Sequence, residues 1–205
     1  MKFKILTAIL AAFAINCFAE VPQDVVNRYF ELTDNGKFKE AIDLMMPYAE
    51  QKDDDAELKV GYAYEAGLKN YKDGMMWYKR SADRGNPVAK SNLANIYYHM
   101  FDYKQAFKLY EQADKQNYAP AAYMLGIIYY DEQGDIKIGR DLVKAANYFK
   151  KAADLGHAGG GQYMLGICYM NAHGVAQDLK EAKRLFTLAA KNGNKRAEEM
   201  LNKIN

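Results

Sequence analysis

The sequence predicts an all-α solenoid, built of antiparallel helix pairs stacked one on the next and closed by a C-terminal capping helix. Three observations carry this. The chain has 205 residues, 50% of them hydrophobic and only 26% charged, which is too apolar for a disordered polymer. Its apolar residues recur at i, i+3, i+4 and i+7, the spacing of a single helix face. Two complementary patterns alternate along it with a period of 32 to 40 residues, the mark of a repeat array.

The first segment reads as an address. Lys2 and Lys4 precede an apolar run from Ile5 to Phe13, and Cys17 and Ala19 occupy the −3 and −1 positions of a cut before Glu20. This is the pattern of a cleavable secretory signal peptide over residues 1–19. A short membrane anchor, or acylation of Cys17 as a lipoprotein, are weaker alternatives, the second because Asn16 stands where a small residue should precede the cysteine. The expected location is periplasmic or secreted. No later stretch holds the roughly 18 apolar residues of a membrane span. Removal of the segment takes away Lys2, Lys4 and no acid, so the net charge of +2 falls to 26 bases against 26 acids. Such a balance gives no long-range pull toward nucleic acid or a membrane surface. Of two cysteines only Cys168 remains, so no internal disulfide is expected.

The first repeating pattern is a small residue, then Leu-Gly, then Tyr. It appears as Ala56, Val60-Gly61, Tyr64; as Ala89, Leu93-Ala94, Tyr97; as Ala121, Leu125-Gly126, Tyr129; and as Gly161, Leu165-Gly166, Tyr169. A truncated copy, Ala197 and Leu201, follows. The second pattern pairs two bulky apolar residues with small ones: Gly74, Trp77-Tyr78, Ser81-Ala82; Ala106, Leu109-Tyr110, Ala113; Ala145, Tyr148-Phe149, Ala152-Ala153; Ala182, Leu185-Phe186, Ala189-Ala190. Each repeat is therefore an A helix followed by a B helix. One pair cannot cover its own apolar face, so pairs must stack.

In chain order, helices are expected at 23–34 and 38–51, a diverged N-terminal pair over residues 20–54 whose second member keeps Ala41, Leu44-Met45 and Ala49. Four pairs follow over 55–193: 55–66 with 71–84, 88–99 with 103–115, 120–132 with 141–155, and 160–171 with 179–191. The run Asp53-Asp54-Asp55 opens the first of these, where negative charge suits a helix start. Gly85, Asn117, Gly156 and Gly193 stand where each B helix ends in the left-handed conformation. A last helix at 195–203, within the capping segment 194–205, carries Lys195, Arg196, Glu198, Glu199 and Lys203 on one side, as the end of a stack requires.

One stretch joins Leu165-Gly166-Ile167-Cys168-Tyr169 to His173-Gly174-Val175 and Asp178, then to Ala182, Phe186, Ala189-Ala190 and Gly193. With the similar Leu125 to Gly156 copy, it resembles the Sel1-like repeat family of the tetratricopeptide-like superfamily. The resemblance covers most of residues 55–205 and lacks the repeat disulfides of many exported members. It implies a protein-binding scaffold and not an enzyme, with A helices lining a groove. Exported members are known as inhibitor or immunity-type proteins, which makes that role, or an envelope adaptor, the implied one. Peptidoglycan or glycan binding is the alternative from a different class, and a β-lactam-hydrolysing relative a remoter one.

On the A helices the side opposite the core pattern is apolar and tyrosine-rich. It carries Tyr62; Asn95, Tyr98 and His99; Tyr123, Ile127 and Tyr130; and Tyr163, Ile167 and Met170. Ser91, Leu58 and Glu65 share it. Tyrosine combines contact area with a hydroxyl at low entropic cost, which suits recognition. These residues are the expected partner-binding groove, for an extended peptide or a helix of another protein.

Other chemistry finds no support. Gly159-Gly160-Gly161 lacks the Lys-Ser/Thr of a phosphate loop. His99, His157 and His173 have no metal-ligand spacing. Cys168 aligns with Ala63, Ile96 and Ile128 and reads as a core thiol. No catalytic motif or cofactor site is recognisable, and the Ser-x-x-Lys of β-lactam chemistry is absent.

Overall fold

The computed structural model describes residues 20–130 and 139–204, and the expected signal segment 1–19 lies outside them. Among the described residues there are eleven α-helices and no strand. The chain divides into two compact units, Met1–Asn86 and Pro87–Asn205. The first holds α1 (Gln23–Asp34), α2 (Phe38–Glu50), α3 (Asp54–Tyr62) and α4 (Tyr71–Asp83). The second holds α5 (Pro87–His99), α6 (Tyr103–Asp114), α7 (Ala119–Tyr130), α8 (Leu142–Asp154), α9 (Ala158–Asn171), α10 (Leu179–Lys191) and α11 (Lys195–Ile204). Within each unit consecutive helices pack on one another in chain order.

Local chemistry sets the ends of these helices. The N-cap aspartates of α6, α8 and α10 each accept a backbone N–H one turn in: Asp102 from Gln105 (3.2 Å), Asp141 from Lys144 (3.0 Å) and Asp178 from Glu181 (2.9 Å). Asp53 does the same for α3 with Ala56 N at 2.7 Å, and Asn70 for α4. Such a cap satisfies one of the orphan donors of the first turn and stabilises by about 1 kcal/mol. Gly85, Gly156 and Gly193 end α4, α8 and α10 at positive φ, and Asn117 does so after α6.

The Leu-Gly glycine of the A pattern has a steric reason. A Cβ built on Gly126 would stand 2.6 Å from the ring of Phe149, and one on Gly166 2.7 Å from the ring of Phe186. On Gly61 it would meet Tyr78 at 2.7 Å. The A helix thus offers a notch, and the second bulky residue of the B helix fills it. Tyr78, Phe149 and Phe186 are fully buried there. Gly161 serves a second close approach, since its Cβ would lie 2.7 Å from the backbone nitrogen of Ala153 on α8. The Gly159-Gly160-Gly161 run is therefore packing, with the Gly159 carbonyl accepting from Asn194 Nδ2 at 2.7 Å.

Two features depart from the expected pattern. The first A helix does not run on as α-helix to 66; Ala63–Gly67 forms a π-helical turn. Glu65 in this turn accepts from the Tyr78 hydroxyl at 2.9 Å, and Gly67 lies against Phe38, where a Cβ would come within 2.1 Å of the ring. The fully buried tyrosines are Tyr29, Tyr78 and Tyr110, whereas of the A-helix tyrosines of the core pattern only Tyr129 is buried; Tyr64, Tyr97 and Tyr169 are half-buried.

Candidate partner-binding face

In the second unit, the predicted residues sit on α5, α7 and α9. Their own helix pairs bury the opposite side of each: Leu93, Ala94 and Ile96 on α5, Leu125 and Ile128 on α7, Leu165 and Cys168 on α9. Burial pushes the Cys168 thiol up to about 12. A thiol this protonated is a core group and not a nucleophile. The predicted face remains half-exposed at Tyr98, Tyr123, Ile127, Tyr130, Tyr163, Ile167 and Met170, and exposed at His99.

These side chains are held from beneath. Tyr98 meets Tyr103 edge-on at 5.2 Å. Tyr123 stacks on the His157 ring at 4.5 Å, 22° between planes. Phe149 lies beneath α7, 6.0 Å from both Tyr123 and Tyr130. Tyr163 rests on Phe186 at 5.8 Å. The Tyr130 hydroxyl and His173 Nδ1 are 2.8 Å apart, so the His-Gly-Val link is tied to the face. Rings fixed in this way lose little further entropy when a partner binds.

The electrostatics of the phenols follow from partial burial and from charge. Burial raises Tyr123 above the ordinary tyrosine range, with Tyr163 adding to this and the positive charge of Arg196 opposing it. Burial likewise raises Tyr130, reinforced by Cys168 and Tyr163 and opposed by Arg140. Tyr123 and Tyr130 are therefore neutral phenols at neutral pH. The buried Nδ1 of His157 has no hydrogen-bond partner in the protein, and burial lowers its affinity for a proton.

Not every predicted residue belongs to a binding surface. Asn95 accepts the buried Tyr110 hydroxyl at 2.6 Å, which makes it a structural acceptor. Ser91 is buried. Tyr62 belongs to the first unit, where it is 46% exposed, and Glu65 beside it is engaged by Tyr78. The pattern gave no sign of the Asn95 and Glu65 roles, because the partner hydroxyls lie one helix away. The one signal in the sequence is a co-occurrence: the repeats whose B helix carries Tyr78 or Tyr110 hold Glu65 or Asn95, whereas those carrying Phe149 or Phe186 have Ile127 or Ile167 at the repeat position of Asn95.

The sequence model of the Sel1 repeat matches residues 54–86, 102–118, 119–157 and 160–194, more than half of the chain. The chain belongs to the Sel1 repeat family. A Sel1 repeat protein from Oxalobacter formigenes is 26% identical and superposes with a TM-score of 0.74, covering 87% of this chain and 74% of its own. A protective antigen of uropathogenic Escherichia coli with an SLR fold is also 26% identical, with a TM-score of 0.73 over 80% of this chain and 36% of the antigen. In sequence, the protein sel-1 homolog 2 of Rattus norvegicus is 32% identical over 133 residues, and a chitin synthase regulator of Saccharomyces cerevisiae 34% identical over 105. The matches cover 58% and 47% of this chain but only 19% and 14% of those relatives. This chain is therefore comparable to a small part of either. Sel1 scaffolds generally serve protein interaction and are generally non-catalytic. The matched stretches leave out the whole of α5, so the Sel1 pattern says least where Tyr98 and His99 lie. No described helix of this Sel1 protein is long and apolar enough to cross a membrane.

Proposed function

We propose that this Sel1 protein is an exported interaction scaffold that binds another protein through the tyrosine face of α5, α7 and α9. The observation that carries the reading is that Tyr98, Tyr123, Tyr130 and Tyr163 remain half-exposed after every helix pair has closed its own core. Large rings left at the surface, braced from below, are what hot spots of protein interfaces are made of. Export is supported by the basic, apolar and small-residue order of residues 1–19. The finer role, an inhibitor or immunity-type protein or an envelope adaptor, rests on the family resemblance.

The test uses the mature protein purified from the envelope fraction with whatever binds it stoichiometrically. Tyr98→Ala with Tyr163→Ala is expected to release the partner while thermal unfolding stays cooperative. A folded double variant that still holds the partner at unchanged affinity refutes the reading, as does retention on peptidoglycan sacculi with no protein partner. N-terminal sequencing of the mature chain should begin at Glu20.

A further inference from the structure

Several helices end in one shared turn, and one of them departs from the rule that governs it. After α1, α2, α4, α6, α8 and α10, a residue at positive φ donates its N–H to the carbonyl three residues back, and the next residue donates five residues back. The residues at positive φ are Gly36, Lys52, Gly85, Asn117, Gly156 and Gly193. Glycine dominates because the left-handed conformation brings a β-carbon against the neighbouring carbonyl, and Asn tolerates it next best. The end of α5 makes the same turn, with Phe101 N–H donating to the Tyr98 carbonyl at 3.0 Å and Asp102 N–H to the Tyr97 carbonyl at 2.9 Å. Its left-handed residue is Phe101, at φ 63°. A bulky aromatic is among the residues least suited to this conformation, so the turn itself does not call for it.

Nor does the core call for it. Phe101 is 76% and Met100 61% exposed, the two most exposed large apolar side chains among the described residues. From Ser91 to Phe101 the chain holds no Asp, Glu, Lys or Arg. Tyr103, at the start of α6, meets Phe101 edge-on at 6.1 Å and Tyr98 edge-on at 5.2 Å. Three rings therefore run without a break from the tyrosine face of α5 to the tip of the α5–α6 turn. The Sel1 pattern covers neither Met100 nor Phe101, which fall between its matches at 54–86 and 102–118. The exposed tip is thus a feature of this chain and not of the repeat.

We infer that Phe101, with Met100 beside it, is an anchor that enters an apolar pocket on the partner protein. This rests on the proposed function above and specifies the shape and chemistry of the partner. A ring at the tip of a turn is convex, and a flat surface would cover only its edge. A concave apolar pocket takes ring and thioether out of water together, which is how a few anchors come to dominate an interface. Continuity with Tyr98 through Tyr103 lets one partner cover the face and the tip at once. A bilayer is the poorer match. Lipid-seated segments carry basic residues for anionic headgroups, whereas here the exposed Asp102 follows the ring and Lys104 only balances it. Backbone strain that the fold does not need is a mark of functional positions.

The experiment uses the mature protein with its co-purified partner. Phe101→Gly should weaken binding about tenfold or more, while the thermal midpoint rises by about 2 °C as the strained turn relaxes. Phe101→Leu, which keeps an apolar anchor, should lose about threefold or less. A benzoylphenylalanine photocrosslinker placed at position 101 should join, on irradiation of the complex, to apolar side chains of that same partner. The inference is overturned if Phe101→Gly binds as the parent does, or if it lowers the midpoint, because the ring then serves the fold. It is also overturned if the parent but not the variant partitions onto phosphatidylglycerol–phosphatidylethanolamine vesicles, or if the mature chain alone dimerises through Phe101. A partner lost on Tyr98→Ala/Tyr163→Ala but held at full affinity by Phe101→Gly overturns the anchor alone and leaves the binding face intact. Absence of any protein partner overturns both.

Discussion

The two units close the same A–B helix pairing with different chemistry. In the first, α3 and α4 are joined by charge. Glu57 is fully buried, and its two oxygens accept from Arg80 Nε at 2.9 Å and Arg84 Nε at 3.0 Å. Arg80 also lies over the Trp77 ring at 4.2 Å, and Tyr78 donates to Glu65. In the second, the pairs α7–α8 and α9–α10 are joined by fit, with Phe149 and Phe186 seated against Gly126 and Gly166. Ala122, at the position matching Glu57, is buried without any polar partner to find. The pair α5–α6 is intermediate, with Ala94 in place of the glycine and the Tyr110 hydroxyl held by Asn95. A repeat scaffold therefore needs a shape at each position, and either a satisfied polar network or a tight apolar contact can supply it.

The largest effect should come from breaking the charged solution. Arg80→Met with Arg84→Met leaves Glu57 buried without a cation and should cost about 3 kcal/mol or more, read as a drop in the denaturant midpoint. Adding Glu57→Leu should recover most of it, because an apolar replacement of the whole network is often neutral. If the double variant is as stable as the parent, the network is ornamental and the contrast between the units fails.

A smaller effect is expected in the second unit. Gly126→Ala and Gly166→Ala each place a methyl within 2.7 Å of a buried ring. Overpacking of this kind costs about 1–3 kcal/mol, and Phe149→Leu should partly rescue Gly126→Ala alone. Equal stability of both alanine variants and the parent would show that the notch is not needed.

The smallest effect separates the two chemistries most finely. Tyr78→Phe and Tyr110→Phe each remove a hydroxyl bonded to Glu65 or Asn95 and should cost about 1 kcal/mol apiece. The reverse change, Phe149→Tyr, adds a hydroxyl to a fully buried ring and should also destabilise, because a buried hydroxyl without an acceptor is costly. A neutral Phe149→Tyr, measured by thermal unfolding, would show that the polar and apolar solutions are interchangeable.

Much of this was legible in the sequence because it is local. Helix-face periodicity placed α1 to α11 to within a few residues, and the left-handed ends at Gly85, Asn117, Gly156 and Gly193 follow from backbone sterics alone. The core position of Cys168 followed from its alignment with apolar residues in sister repeats. The half-exposed state of Tyr98, Tyr123, Tyr130 and Tyr163 followed from their place opposite the core stripe.

What only the tertiary structure decided involves contacts between helices. A sequence pattern shows that Glu57 lies on α3 beside the core stripe, but not that two arginines, one in the last turn of α4 and one at its C-cap, arrive 23 and 27 residues later to hold its oxygens. It marks Asn95 as surface-facing because its own helix does not bury it, while the hydroxyl that claims it comes from Tyr110 on α6. It shows Leu-Gly as a motif without showing that the glycine is a notch for a ring. The physical reason is common to all three. Periodicity reports the side of a helix that must be covered, whereas the atom that covers it, and so whether a polar group becomes structure or surface, depends on the neighbour that packing brings to it.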